Sequence, residues 1–410
     1  MEPLKGIKVV DLTTYLAAPT AARVMGEWGA EVIKIEAKKG DPARLQGGVF
    51  NMPFEDEENL AFDVANMDKK FITLDLKTEK GLEVAYKLLN EADIFITNTR
   101  TKSLKKLGLD YDTLKEKFPK LIFAQVLGYG ENGPEKDSPG FDATCYMARG
   151  GVLGTTVDKG GAPFNPSNGY GDFQVSMSLT SGICAALYNR ERTGLGEKIT
   201  VSLHHAAIFM QSVAMISAQY GNQYPKSRKE VANPFNNCYR TKDEKWVVIC
   251  CPEYDRDFDK LMTVLGRTDM VGNTKYNVCA EVNNNKLNRE VIDILDEAVS
   301  KFTREELLHI LKSNELPCEA AYEPLDIYED EQVWANNILR KIPYPSGDRV
   351  VPVNPVVFKS VPNPKLEICQ SQGSHTIEVM KDLGYTQEQI NEYLESGSVY
   401  GLKKLRESEN

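Results

Sequence analysis

The chain has 410 residues and carries 49 lysines and arginines against 59 aspartates and glutamates, a net charge of -10. That acidity excludes nonspecific binding to nucleic acid or to an acidic membrane surface, so an anionic ligand needs a local basic patch. The length exceeds one average domain and points to two. The start MEPLKGIKVVDL enters a strand at once, with no apolar signal core. No later run reaches the length of a membrane span, and the expected compartment is the cytoplasm. Eight cysteines lack a paired CxxC spacing and read as free buried thiols. His204, His205, His309 and His375 have no zinc spacing, so no metal site is expected.

Residues 6–13 (GIKVVDLT) read as a buried strand, 19–28 as a helix ending at Gly29, and 31–36 (EVIKIE) as a second strand. This order is the signature of a parallel sheet with crossover helices. Residues 37–60 carry Gly, Pro, Asn and charges without period, which predicts a long surface excursion of the kind that is often functional. A strand at 71–76, a helix at 79–89, a strand at 92–97, a helix at 112–118 and a strand at 121–127 continue the alternation. Gly128-Tyr129-Gly130-Glu131-Asn132-Gly133 is a literal GxGxxG behind a strand. Pro134, Pro139 and Gly140 bar the helix that a dinucleotide fingerprint requires, so the stretch reads as a loop and NAD is rejected.

Residues 141–147 predict a helix, and 150–161 a glycine-rich loop. The small and apolar residues of 177–187 then fit a buried helix, with Asp172 of the Gly169-Tyr170-Gly171-Asp172-Phe173 stretch at or next to its N-terminus. There a carboxylate accepts free backbone N–H groups and feels the helix dipole, a benefit of roughly 0.3–1 kcal/mol. With a reference pKa of about 3.9 it stays ionised, an oxygen nucleophile that needs no neighbouring base. Taken alone, the same residue is an ordinary helix cap. A strand at 197–203, a helix at 204–219 and a polar linker at 220–234 follow. A second domain begins near Asn233, with strands at 238–240 and 245–251 and helices at 255–265, 288–301 and 304–313. Residues 325–339 read as helical, 342–359 as strand pairs interrupted by Pro, and 375–383 and 387–395 as closing helices.

Several stretches add up to a resemblance: PLKGIKVVDLT with Ala18-Pro19, GAEVIKIE, the turn Gly40-Asp41-Pro42-Ala43-Arg44, DKKFITLDLKTEKG, ADIFITNTR, GYGENGP, PGFD, GDFQ, RTGLGEKITVS and GSHTIEVMKDLGY. In this order, over essentially the whole chain, the set resembles the class III coenzyme A transferases of the CaiB/BaiF type. The resemblance implies an α/β fold: a large Rossmann-like domain whose parallel sheet is built from both chain ends, a smaller central α+β domain, and an interlocked dimer. The corresponding limits are 1–220, 221–330 and 331–410. Coenzyme A is implied as the carrier of the acyl-CoA substrate, with no permanently bound cofactor. Among family members the chain looks most like enzymes of anaerobic amino-acid fermentation that exchange CoA between a 2-enoyl-CoA and an (R)-2-hydroxy acid of the phenyllactate or 2-hydroxyisocaproate type. Association with a 2-hydroxyacyl-CoA dehydratase is a further implied partner.

Residue by residue, Asp172 matches the family's nucleophilic aspartate. Tyr15, Leu16 and Ala17 match positions along the coenzyme, Leu74 and Lys77 positions around the adenine, and Asn98, Thr99, Arg100 and Lys106 the phosphate end. The basic position after the KIE strand is Ala37 here, so that contact shifts to Lys38. Asp142 matches an acidic position near the nucleophile, where it can orient a neighbour or cap a helix. Gly150, Gly151 and Gly171 are candidates for bare N–H donors to a tetrahedral oxyanion, with tight turns as the competing reading. Phe164, Tyr170, Phe173, Met147 and Met210 are candidates for an apolar acyl pocket, with plain core as the competing reading. The glycine-run loop of oxalate- and formate-using members is missing between Asn233 and Tyr254, which argues against small dicarboxylates. Two other readings stand beside this one: an α-methylacyl-CoA racemase, whose catalytic histidine position holds Phe141, and a noncatalytic CoA-binding subunit, which could dispense with Asp172.

Overall fold

The computed structural model describes residues 2–166, 169–361, 363 and 366–405. The chain divides into two units, one made of Met1–Val152, Asn165–Ser212 and Trp334–Asn410, the other of Leu153–Phe164 and Val213–Val333. The stretch Leu153–Phe164, read from sequence as part of the first domain, thus groups with the second unit.

The first unit is built on strands β1 (Lys8–Leu12), β2 (Glu31–Glu36), β3 (Lys70–Leu74), β4 (Ile94–Thr97), β5 (Ile122–Leu127) and β6 (Lys198–Ser202). They lie in the order β3-β2-β1-β4-β5-β6, all parallel. Val399–Tyr400 pairs antiparallel with β3. Both chain ends therefore enter the sheet, but the C-terminal end does so as an antiparallel edge rather than as a parallel strand. β5 is buried along its whole length, as expected where helices cover both faces. One face packs Val10, Ile72, Phe95 and Phe123 against Leu88, Leu89 and Val379. On the other face, helix Ala17–Glu27 packs against helix Tyr170–Thr193. Ala18, Ala21 and Ala22 are fully buried there, and their small side chains let the two helices approach closely. The strand order reverses between β1 and β4, and at such a point the connections leave in opposite directions and open a crevice at the carboxyl ends of the strands.

Several boundaries differ from the sequence reading for identifiable reasons. The helix expected at 177–187 runs from Tyr170 to Thr193, because Arg190 and Arg192 in its last turn favour the dipole and Gly194, at φ 73, stops it. The helix expected at 204–219 breaks at Gln211 into Leu203–Met210 and Ser212–Ala218. The excursion at 37–60 holds a 3-10 turn, Pro42–Phe50, and helix Leu60–Asn66 follows it, capped by the Asn59 side chain. Residues 325–339 form no single helix, since hairpin Leu339–Tyr344/Gly347–Pro352 begins there. After the GxGxxG stretch no helix opens before Asp142, as Pro134 and Pro139 require.

The second unit is α+β. Antiparallel strands Asn236–Arg240, Trp246–Cys250 and Cys318–Ala320 share a core with helices Tyr254–Val264, Asn288–Val299 and Arg304–Ser313, through Phe235, Ile249, Phe258, Leu261 and Leu295. All eight cysteines are free, but only Cys145, Cys251 and Cys369 are buried, and Cys250 is exposed. Among the described residues no helix is long and apolar enough to cross a membrane.

Candidate active site

The site is built around the first turn of helix Tyr170–Thr193. Gly169 caps it in a left-handed conformation, φ 103, and Asp172 is its third residue. The N–H groups of Gly169 and Gly171 donate to Asp142 Oδ2 and Oδ1, each at 2.9 Å. The capping role expected of Asp172 therefore belongs to Asp142, which arrives from the π-helical turn Asp142–Ala148. The Asp172 carboxylate is left free of the backbone and lines a cleft. Gly171 is required by space: a Cβ there would lie 2.2 Å from Tyr146 Cγ and 2.5 Å from Asp142 Oδ1. Because its N–H is already donated to Asp142, Gly171 does not serve as the oxyanion donor that the sequence suggested. Gly150 is likewise a close-packing residue, since a Cβ would meet Ala207 Cβ at 2.4 Å.

The cleft places Asp172 with Tyr15 and Ala17 from the end of β1, Asn98 and Arg100 from the end of β4, and Lys136, Ser138 and Phe141 from the loop after β5. These are the carboxyl ends of strands flanking the order reversal, where an open parallel sheet binds its ligand. Apolar lining comes from Val126, Leu127, Phe141 and Leu203. Of the residues expected to line an acyl pocket, Met147 is core, and Tyr170, Phe173 and Met210 are exposed outside this lining. Phe164 belongs to the second unit. Helix Ala17–Glu27 opens at the cleft, which Ala17 lines, with no side chain capping its N-terminus, so the positive end of its dipole lies there.

Four of the expected coenzyme contacts, Tyr15, Ala17, Asn98 and Arg100, line the cleft with Asp172. The Asn98 side chain is also committed to the loop after β1, accepting from the Thr14 N–H at 3.0 Å and donating to the Thr14 carbonyl at 2.7 Å. Leu16 flanks the helix cap, 3.6 Å from where a Cβ on Gly169 would stand. Leu74 is fully buried in the sheet core, which leaves its backbone rather than its side chain for any contact. The Thr99 N–H donates to Thr97 Oγ1 at 3.0 Å. Lys38, Lys77 and Lys106 are exposed and outside the lining, with Lys38 Nζ 5.1 Å from the centre of the Tyr400 ring. Lys136, Ser138 and Phe141 were missed by sequence reasoning. The signal that could have found them is their place just after a parallel strand next to the reversal.

Burial and, secondarily, the charge of Asp142 raise the Asp172 pKa to about 7. The expectation of a permanently ionised group is thus corrected, because desolvation outweighs the helix dipole. Near neutrality a substantial fraction carries a proton. Burial also raises Asp142, against the stabilising N–H groups of Gly169, Gly171 and Tyr170.

Residues 4–370 match the family described as CoA-transferase family III, and the chain belongs to it. It is 44% identical over 391 residues to the cinnamoyl-CoA:phenyllactate CoA-transferase of Clostridium sporogenes, covering 94% of this chain and 95% of that one. It is 41% identical over 394 residues to the (R)-2-hydroxy-4-methylpentanoate CoA-transferase of Clostridioides difficile, covering 96% and 98%. A CaiB/BaiF family protein from Brucella suis has the same fold, with a TM-score of 0.76 at 26% identity over 93% of this chain and 99% of that one. So does Rv3272 from Mycobacterium tuberculosis, with a TM-score of 0.79 at 26% identity over 92% and 98%. This chain is accordingly a CoA-transferase.

Proposed function

We propose that the enzyme moves CoA from a 2-enoyl-CoA to an (R)-2-hydroxy acid of phenyllactate or 2-hydroxyisocaproate size, with Asp172 as the covalent carrier. The observation that carries this reading is the position of Asp172: a desolvated carboxylate, released from capping duty, in a cleft flanked by Arg100 and Lys136 at the switch point of the sheet. The ionised Asp172 attacks the donor thioester carbonyl. The tetrahedral intermediate collapses with cleavage of the C–S bond, leaving an acyl-aspartyl anhydride and CoA thiolate. The thiolate then attacks the aspartyl carbonyl, releasing the donor acid as a carboxylate and forming an aspartyl-CoA thioester. The acceptor carboxylate attacks that thioester to give a second anhydride. The thiolate attacks its acceptor carbonyl, and Asp172 is regenerated.

Each step exchanges one acyl derivative for another and needs no net proton transfer, which suits a cleft whose described lining holds no histidine. The missing imidazole also counts against the racemase reading. The N–H group of Ala17, which lines the cleft at the uncapped helix start, takes the oxyanion role. Arg100 and Lys136 bind the phosphates, and Phe141, Leu203 and Val126 contact the apolar acyl group. Lys38, Lys77 and Lys106 are kept as outer coenzyme contacts, and CoA is a substrate rather than a resident cofactor. Tyr188, Phe209 and Met210 are each exposed, and a second copy would cover them in an interlocked homodimer, which sedimentation would test. The cytoplasm, and a 2-hydroxyacyl-CoA dehydratase as consumer of the product, complete the reading.

The experiment is covalent trapping. Enzyme incubated with cinnamoyl-CoA and hydroxylamine should carry a hydroxamate at Asp172 by peptide mass spectrometry. No modification at that residue would reject the mechanism. An acceptor panel should rank phenyllactate and 2-hydroxyisocaproate above lactate and oxalate, and oxalate as best acceptor would reject the substrate class alone.

A further inference from the structure

The loop after β1 is held at almost every residue by a side chain from elsewhere. The Thr13 carbonyl accepts from Lys34 Nζ at 2.8 Å, and the Tyr15 N–H donates to Asp41 Oδ1 at 3.1 Å. The Ala17 carbonyl accepts from Ser176 Oγ at 2.5 Å and the Pro19 carbonyl from Lys69 Nζ at 2.8 Å. Asn98 brackets Thr14 between them. The two lysines belong to ion pairs with no solvent exposure, Lys34–Asp41 at 3.0 Å and Lys69–Asp11 at 2.8 Å. A buried ion pair is a poor source of stability, because desolvation offsets the attraction, and apolar residues of similar volume often do as well. Two such pairs side by side under a sheet with ample apolar packing call for another role.

Their contacts indicate one. Lys69 reaches the backbone of the helix that follows the loop, at Pro19, whereas the Lys34–Asp41 pair reaches the loop itself, and Asp41 does so at its most strained residue. Tyr15 has φ 64, a left-handed conformation that a bulky side chain seldom adopts unless its surroundings impose it. Its ring stands edge-on to Phe141, 5.7 Å between centres, directly beside the residue that caps the Asp172 helix. Asp41 is itself fixed by Lys34 and by the Ala43 N–H at 3.0 Å.

We propose that Asp41 is a positioning residue for CoA transfer: held by Lys34, its carboxylate clamps the Tyr15 N–H and keeps the tyrosine and the helix start after it in the shape that brings acyl-CoA against Asp172. The inference rests on the reading of Asp172 given above. A loop displaced by about 1 Å can cost on the order of 100-fold in rate without any lost contact to the reacting atoms.

Two double variants separate positioning from stability. Asp41→Asn/Lys34→Met and Asp41→Leu/Lys34→Met both remove the two buried charges and keep a branched side chain at position 41, but only the first retains a carbonyl for the Tyr15 N–H. Both should melt within a few degrees of each other. Both doubles lose the Lys34 bond to the Thr13 carbonyl, so their difference reads Asp41 alone: the Leu variant should fall on the order of 100-fold below the Asn variant in kcat, with a smaller change in KM. Equal impairment of both, or a parental kcat in the Leu variant, would overturn the proposal. Amide hydrogen exchange of the parental enzyme needs no variant and decides the matter if a double fails to fold: the Tyr15 amide, which donates to Asp41, should be protected like those of β1, and exchange as fast as an open turn would overturn it. Hydroxylamine trapping in the parent keeps the two readings apart. An Asp172 adduct with indifferent doubles rejects the Asp41 role only, whereas no adduct rejects both.

Discussion

Asp142 holds the helix start and presses on the nucleophile electrostatically, so the substitution Asp142→Asn has two effects of opposite sign. The carbonyl of the new side-chain amide can accept one of the two N–H groups now bound at 2.9 Å, while its NH2 group faces the other. The loss is one charge-assisted hydrogen bond and a charged cap, roughly 1.5–3 kcal/mol. At the same time the charge that adds to burial in raising Asp172 disappears. Burial is the larger cause and remains, so the pKa of Asp172 descends from about 7 without reaching the ordinary carboxylate range. With the ionised form as the proposed nucleophile, kcat/KM of the parent should rise with pH through about 7 and then level. A descent of one pH unit in the acid limb of Asp142→Asn lifts the ionised fraction at pH 6 from about a tenth to about a half. Initial rates from pH 5 to 9 by chromatography of the acyl-CoA species, each curve scaled to its own plateau, give the limb, and melting at pH 8 gives the stability loss. A lowered melting point with an unmoved limb would show that Asp142 does not sense the charge at position 172.

Further outcomes follow from the same geometry. Asp172→Asn should lose transfer by at least about 1000-fold with no fall in melting temperature at pH 8, because the cap belongs to Asp142 and an unfavourable buried charge is removed. Gly171→Ala should lower stability by roughly 1–3 kcal/mol or more, since its methyl overlaps Tyr146 and Asp142; a parental melting curve would mean that this turn yields. Lys136→Ala should raise KM for acyl-CoA several-fold and Lys38→Ala by a smaller factor, in line with their places inside and outside the cleft. Burial raises Asp68 to about 7. The folded chain there keeps a proton that the unfolded chain releases, so this stabilisation is complete below about pH 4 and lost as pH rises through about 7. Asp68→Asn should flatten the decline in melting temperature between pH 5 and 8.

The alternation of strands and helices was legible because β1, β2, β4 and β5 are short apolar runs bounded by Gly, Pro or Asn, and the parallel sheet followed from that pattern. The Asp172 helix was legible in its middle, where small and apolar residues repeat, but not at its ends, whose polar residues look like loop. Asp172 could be singled out, but not its electrostatics: the helix dipole can be read locally, whereas burial depends on the packed fold and the Asp142 carboxylate comes from a turn 30 residues earlier in the chain. Asn98 shows the same limit, since its partner Thr14 is 84 residues away. Lys34 and Asp11 sit inside apparently ordinary strands, and only the packed sheet reveals that they are charges without water.

The raised pKa of Asp172 bears on the chemistry as well as on the pH profile. A change from 3.8 to about 7 means that the site disfavours the bare carboxylate relative to its neutral form by at most about 4 kcal/mol. An anhydride and a thioester at that oxygen or carbonyl are neutral too, and the cleft disfavours them no more than it does the protonated acid. Withholding water therefore raises the free carboxylate toward its own acylated states, which brings each exchange closer to balance and makes the attacking oxygen more basic. A fully solvated aspartate at the same place would be ionised more often and would react less readily each time. In the proposed mechanism the uncapped helix start at Ala17 and the cations of Arg100 and Lys136 act in the other sense, on charge that develops during reaction, while Asp142 takes the Gly169 and Gly171 N–H groups at the start of the Asp172 helix.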